Sequence, residues 1–149
     1  MSDSFLRIIP TDPRFVPSAL QQADAEDLLR QALPRSDEVL SLLTPEVRFV
    51  DCGVNFETVT CPRCGVDIAE WWTLVMEVAH GQHFTDLRIT TPCCTRRTSL
   101  NDLVYSWPMG FARYSLEAMN PDVVDLPDSV RLRLESILGK RVRLIWART

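Results

Sequence analysis

Two groups of cysteine residues are the part of this sequence best suited to chemistry. The first is Cys61-Pro62-Arg63-Cys64-Gly65, and the second is Pro92-Cys93-Cys94. Two cysteines separated by two residues can bind one tetrahedral ion, because the turn between them directs both thiolates inward. Proline after the first cysteine and glycine after the second favour such a turn. The sequence therefore predicts one structural Zn²⁺ with the ligands Cys61, Cys64, Cys93 and Cys94.

The second group is irregular, because its two cysteines are adjacent. Adjacent side chains of an extended strand point to opposite faces, so Cys93 and Cys94 share an ion only where the chain turns sharply. The neighbouring Pro92 favours a turn. If only one of the pair is a ligand, the fourth donor comes from another side chain near the ends of the flanking elements. The candidates for that position are Cys52, His80 and His83.

A dithiol oxidoreductase is the first alternative for the CPRC motif. A strand followed by CxxC at the start of a helix is the context of redox sites, where the helix end lowers the pKa of the first thiol. In that case Cys61 and Cys64 would cycle between dithiol and disulfide. Gly65 weakens the expected helix start, and such an enzyme has no need of the Cys93-Cys94 pair. The zinc site is therefore the favoured interpretation.

A nucleic-acid-binding zinc-ribbon protein is the second alternative. Arg63, Arg96 and Arg97 lie beside the cysteines, where they can either contact phosphates or offset the charge of four thiolates around Zn²⁺. The formal net charge of the chain is −4, and the surrounding segment lacks interleaved aromatic residues. Nucleic acid is therefore the less favoured partner.

Composition indicates a folded protein in a reducing compartment. Hydrophobic residues make up 46% and charged residues 24% of the 149 residues, which is typical of globular proteins. The amino-terminal residues mix charges and prolines, so they do not resemble a secretory signal, and no apolar run has membrane-spanning length. Five cysteines, an odd number, favour thiols and metal sites over disulfides. A cytoplasmic protein is expected.

Hydrophobic periodicity predicts alternating strands and helices. Ser18 and Gln21 form a capping box for a helix that ends before Pro34, and Pro127 and Gly139 bound another helix. A third helix starts near Val66. A helical turn is expected over residues 37–43, a hairpin around Gly53 and a short helix after Ser99. The predicted strands cover residues 5–9, 47–52, 56–60, 84–90, 111–119 and 142–146.

This order of elements predicts an α+β fold. We expect one domain over residues 1–149, with a single mixed sheet, helices packed on it and the zinc site, within residues 61–94, at one edge of the sheet. The first six predicted elements follow the order βαββαβ, which is that of a ferredoxin-like unit.

The cysteine motifs also carry a family resemblance. CPRCG resembles one knuckle of zinc-ribbon proteins, over five residues. The run from Pro92-Cys93-Cys94 through Ser99-Leu100-Asn101-Asp102-Leu103 to Trp107-Pro108 and Gly110-Phe111-Ala112-Arg113 is similar to that of small uncharacterised bacterial proteins containing both groups. This resemblance implies zinc binding but no particular activity.

The absence of other catalytic motifs favours a binding role. The sequence has no Ser/His/Asp order, phosphate loop or pair of carboxylates typical of an enzyme, and four sulfurs around zinc leave no open position for water. We therefore expect a non-catalytic module that binds another protein. Residues 1–60 carry ten acids and five bases, so a basic partner is favoured. An immunity or antitoxin-like protein that covers a basic toxin is one concrete form of this hypothesis.

Overall fold

The computed structural model describes residues 2–149. Eight strands and three helices follow one another along this part of the chain, with one turn of 3₁₀ helix over Leu100–Asp102 between β5 and β6. The elements are β1 (Ser4–Pro10), α1 (Ala19–Ala32), β2 (Glu38–Val50), β3 (Val59–Thr60), α2 (Ala69–Gly81), β4 (Arg88–Thr90), β5 (Arg97–Ser99), β6 (Val104–Tyr105), β7 (Gly110–Met119), α3 (Asp128–Leu138) and β8 (Val142–Arg148).

The main sheet has four strands in the order β2-β7-β1-β8, and every pairing in it is antiparallel. Ile8 of β1, for example, lies opposite Leu116 of β7 on one side and Leu144 of β8 on the other. Two small two-stranded sheets, β3-β6 and β4-β5, accompany it. The predicted α+β class is confirmed, with an antiparallel rather than a mixed main sheet.

The connections of this sheet form a ferredoxin-like βαββαβ arrangement. Helix α1 links β1 to β2, and helix α3 links β7 to β8, and each of these links passes over one intervening strand. The six elements are thus β1, α1, β2, β7, α3 and β8, not the first six along the chain. The other elements lie between β2 and β7, in a segment over residues 51–109 that we call the excursion.

Helices α1 and α3 cover one face of the sheet. Leu29 of α1, Leu134 of α3 and Leu116 of β7 are completely buried in one shared apolar cluster. The predicted capping box begins α1: the N–H of Gln21 donates to Ser18 Oγ at 3.1 Å, and the Gln21 side chain accepts from the N–H of Ser18 at 2.8 Å. The helical layer thus covers one face of the main sheet, and the excursion packs against the opposite face.

The excursion packs against the other face through a second apolar cluster. Phe111 of β7 is completely buried there, and its ring lies 5.2 Å from that of Phe49 and 5.3 Å from that of Phe84. Trp72 of α2 stacks on Phe56 at 5.5 Å between ring centroids and meets Phe49 of β2 edge-on at 6.0 Å. An aromatic layer therefore connects α2 to the main sheet.

Three expected elements differ in the structure. Residues 38–43 belong to β2, not to a helical turn, because they pair with β7 from Met119 to Tyr114. The hairpin around Gly53 is absent within residues 2–149, since the N–H of Val54 donates to the carbonyl of Arg148 at 2.8 Å. The predicted strand over residues 84–90 is confined to Arg88–Thr90. For residues 38–43 and for Gly53, a pairing distant in sequence decides the conformation.

Candidate metal centre

The first turn that carries cysteines follows β3. The N–H of Cys61 donates to the carbonyl of Val66 at 2.9 Å, and the N–H of Gly65 donates to the carbonyl of Cys61 at 3.0 Å. Gly65 has a φ of +74°, a left-handed conformation that favours glycine. Thr60, which precedes the turn, bridges to Asp67, which follows it. This tight turn brings Cys61 and Cys64 to one side of the backbone.

The second turn links β4 to β5. The N–H of Thr91 donates to the carbonyl of Arg96 at 2.9 Å, and the N–H of Thr95 donates to the carbonyl of Thr91 at 3.1 Å. Thr95 has a φ of +56°. The chain thus turns sharply at the adjacent cysteines, as a shared ion requires, and both Cys93 and Cys94 face the first turn.

The four predicted ligands come together. The sulfur atoms of Cys61, Cys64, Cys93 and Cys94 all lie within 4.8 Å of one another. The Sγ atoms of Cys61 and Cys94 are 3.6 Å apart, and those of Cys64 and Cys93 are 3.4 Å apart. A tetrahedral ion with metal–sulfur bonds of about 2.3 Å places its sulfurs about 3.8 Å apart. The cluster therefore has the size of a four-thiolate metal site.

The other candidate ligands lie outside this cluster. Within residues 2–149, Cys52, His80 and His83 are not part of the group whose donor atoms converge. Cys52 is a completely buried side chain of the apolar cluster beneath the excursion. His83 Nδ1 lies 3.2 Å from Glu46 Oε2 at the exposed end of α2. His80 and His83 are both exposed.

Electrostatics within the cluster favour a cation. The backbone N–H groups of Cys64 and Arg63 point toward the Cys61 sulfur and lower the pKa of its thiol to about 6. The pKa of Cys93 is raised to about 12, because the surrounding sulfurs desolvate its thiolate and hydrogen-bond to its protonated form. One thiolate is thus stabilised while further negative charge is disfavoured. A bound divalent ion would relieve this repulsion and allow all four thiols to ionise.

Burial bears on the redox interpretation. Cys61, the first cysteine of CxxC, is only 1% exposed, whereas the attacking thiol of a dithiol enzyme must reach its substrate. Its sulfur is also 3.6 Å from that of Cys94, which a two-cysteine mechanism does not use. This geometry is better suited to a metal ligand than to a catalytic nucleophile.

The three arginines near the cysteines line a cavity of about 260 Å³, together with Pro62, Thr91 and Thr98. This cavity has no aromatic lining on which a base could stack. Arg63 contacts the cluster through its backbone, whose N–H donates to Cys61 Sγ at 3.4 Å. The arginines therefore fit a role beside the sulfur cluster better than a nucleic-acid surface.

Helix α2, which connects the two turns, presents apolar side chains to solvent. Leu74 is 65% and Val78 is 64% exposed, and Ala79 is the one fully buried residue of this 13-residue helix. A groove of about 740 Å³ runs between α2 and β2, with Trp72, Met76 and Phe49 among its lining residues. A surface helix normally turns its polar residues outward. The apolar face of α2 is therefore the most unusual surface near the site.

Sequence reasoning did not single out two of these features. Thr91 is 1% exposed, and its hydroxyl lies 3.4 Å from Cys94 Sγ. The shared pattern Thr-x-Pro-x-Cys, at residues 60–64 and 90–94, could have indicated it. The second feature is the exposed apolar face of α2, which the apolar residues Leu74 and Val78, four positions apart on the helix, could have indicated.

Known proteins do not add to this description. No family model, no curated protein and no solved structure matched the chain. Within residues 2–149, no helix combines the length and the apolar composition needed to cross a membrane. The sulfur cluster and the face of α2 are consequently the features from which function is inferred.

Proposed function

We propose that this chain is a small zinc-binding protein of the cytoplasm whose metal is structural and whose role is to bind another protein. The single observation that carries the proposal is the convergence of four cysteine sulfurs within 4.8 Å of one another. Such a set encloses Zn²⁺ without an open position for water or substrate, so the metal serves architecture rather than catalysis.

The metal would join two distant parts of the excursion. Cys61 and Cys64 follow β3, whereas Cys93 and Cys94 lie between β4 and β5. Helix α2 follows the first turn, and the chain then reaches the second turn through β4. One ion would therefore close a loop that contains the whole helix. Zinc would thereby add to the packing of Trp72 in holding α2 in place, and Leu74 and Val78 remain exposed for contact.

Charge supports a basic partner at this helix rather than at the acid-rich residues 1–60. Many acids of that segment already have partners, such as Asp51 with Arg7 at 3.3 Å and Asp12 with Lys140 at 3.3 Å. Among the described residues, Glu70 and Glu77 of α2 form no ion pair within 4.0 Å. They lie four residues before and three after Leu74, next to it on the helix surface. An apolar surface rimmed by Lys or Arg would complement this face.

Metal analysis tests the first half of the proposal. Protein purified without added metal should contain about one zinc per chain, and a closed four-thiolate site should keep it through dialysis against a weak chelator. Iron in place of zinc, or no metal at all, would contradict a zinc module.

The second half is tested with variants of α2. A double variant, Leu74→Ser with Val78→Ser, should lose a partner that wild type retains from the native host, while Leu20→Ser, at an exposed site of α1, should keep it. The retained protein should be basic, should bind purified wild type directly and should crosslink to α2. Equal retention by both variants, or self-association through α2 in analytical ultracentrifugation, would refute a separate basic partner.

A further inference from the structure

The two cysteine turns share one backbone design, with an offset of 30 residues. The bond from the N–H of Cys61 to the carbonyl of Val66 corresponds to that from Thr91 to Arg96, and both are 2.9 Å long. Thr60 pairs with Asp67 before and after the first turn, as Thr90 pairs with Arg97 around the second. Left-handed residues follow at matching places, Gly65 and Thr95.

In this correspondence, Thr91 of the second turn stands at the position that the ligand Cys61 occupies in the first turn. Thr91 matches Cys61, Cys94 matches Cys64, and Cys93 matches Arg63, which is not a ligand. Thr91 is as buried as Cys61, at 1% exposure each, and its hydroxyl contacts Cys94 Sγ at 3.4 Å. The fourth sulfur of the cluster therefore comes from a position that the first turn leaves exposed to solvent.

The displaced ligand gives the cluster one open edge. Cys64 and Cys93 are both exposed, whereas Cys61 is buried and Cys94 half-buried. The Sγ atoms of the exposed pair are 3.4 Å apart, so a movement of about 1.4 Å would bring them to disulfide bonding distance. Exposure, proximity and an irregular position in the turn coincide at Cys93.

We propose that Cys64 and Cys93 form a modification site for hydroperoxides and other soft electrophiles. This inference rests on the proposed zinc site. With the metal bound, Cys93 would be ionised. Its thiolate attacks one oxygen of hydrogen peroxide, the O–O bond breaks, and a sulfenic acid and hydroxide form. The Cys64 thiolate then attacks the sulfenic sulfur, the S–O bond breaks, and a second hydroxide leaves. Two electrons pass from the two sulfurs to the peroxide, and Cys64 and Cys93 would then no longer be available as ligands, so a bound Zn²⁺ would be released.

A paired substitution tests this assignment. Thr91→Cys combined with Cys93→Arg converts residues 91–94 into the Cys-Pro-Arg-Cys order of residues 61–64 and moves the fourth ligand to the buried position. The variant should bind one zinc per chain. Hydrogen peroxide should release that zinc at least about tenfold more slowly than from wild type, as followed with a chromogenic chelator. Cys52→Ala, which changes a cysteine outside the cluster, should leave the release rate unchanged.

Peptide mapping of wild type provides the second measurement. Brief treatment of the zinc-bound protein with N-ethylmaleimide should label Cys93 and Cys64 before Cys61 and Cys94, and peroxide should give a Cys64–Cys93 disulfide. First labelling of Cys61, equal release rates, or loss of zinc by the paired variant would overturn the assignment while the zinc site of wild type stands. Wild type without zinc would instead remove the proposed function and this inference together.

Discussion

Arg143 of β8 and Asn101 of the 3₁₀ turn are hydrogen-bonded across the boundary between the main sheet and the excursion. Arg143 Nη1 donates to the main-chain carbonyl of Asn101 at 3.0 Å and to its Oδ1 at 3.2 Å. The same nitrogen donates to the carbonyl of Met109 at 2.8 Å. Burial lowers the pKa of Arg143, and the nearby Asp102 partly offsets this effect. The Arg143 guanidinium therefore holds Asn101 and Met109, the last residue of the excursion, beside the start of β7.

Asn101→Ala should destabilise the protein by about 2–4 kcal/mol, because it leaves several buried groups without partners. Asn101 Oδ1 accepts from the N–H of Phe111 at 3.0 Å, and Nδ2 donates to the carbonyl of Thr11 at 3.0 Å. Asn55→Ala is the matched control, since Asn55 makes one side-chain bond, to the carbonyl of Trp146. Urea denaturation should show a loss below about 1 kcal/mol for the control. Equal losses would contradict the assigned role of Asn101.

Cys61→Ser should abolish stable zinc binding and lower the midpoint of thermal unfolding, because metal binding contributes directly to folding of the excursion. Cys52→Ala should retain about one zinc per chain, since Cys52 lies outside the cluster. Zinc content after dialysis and a thermal unfolding curve check both variants. Retention of zinc by Cys61→Ser would show that this buried sulfur is not a ligand.

Tyr105→Phe should cost about 1–2 kcal/mol and change the fluorescence of Trp72. The Tyr105 hydroxyl donates to the carbonyl of Leu100 and accepts from Trp72 Nε1 at 3.2 Å. Burial raises the pKa of Tyr105, so the phenol keeps its proton and remains a donor at neutral and moderately alkaline pH. Tyr114→Phe, on the opposite face of the sheet, should leave the fluorescence of Trp72 unchanged. A spectral change in both variants would argue against the local contact.

Gly53→Ala should destabilise the protein by about 2–4 kcal/mol, whereas Gly65→Ala should cost about 1 kcal/mol. Both glycines have a left-handed φ, +62° and +74°. A Cβ on Gly53 would lie 2.1 Å from the backbone oxygen of Arg148, while one on Gly65 would meet nothing within 4 Å. Denaturant unfolding of the two variants, with zinc content as a check, compares them. A larger loss at Gly65 would contradict this packing argument.

Local signals in the sequence predicted those parts of the fold that depend on neighbouring residues. The capping box of Ser18 and Gln21 is present, and Gly139 ends α3 in a left-handed conformation. The α+β class is confirmed, and the four cysteines converge where a metal could bind. Spacing was informative here because a CxxC turn determines its own geometry.

Contacts distant in sequence decided the remainder. Residues 38–43 have helical spacing but continue β2, since β7 supplies a partner along their whole length. The strand expected after Gly53 did not form a hairpin, because Arg148 at the end of the chain pairs with Gly53 instead. The role of Thr91 also depended on comparing two backbone turns. Periodicity along one segment contains no information about such partners.

The pairing of Val50 with Gly110 places the first and last residues next to the excursion on neighbouring strands. Residues 51–109 therefore leave the main sheet at the end of β2 and rejoin it at the adjacent start of β7. The length of this segment could therefore change without altering the register of the four strands. A shorter segment would require substitutions on the sheet face beneath it, because Phe111 is buried there and would otherwise be exposed to solvent.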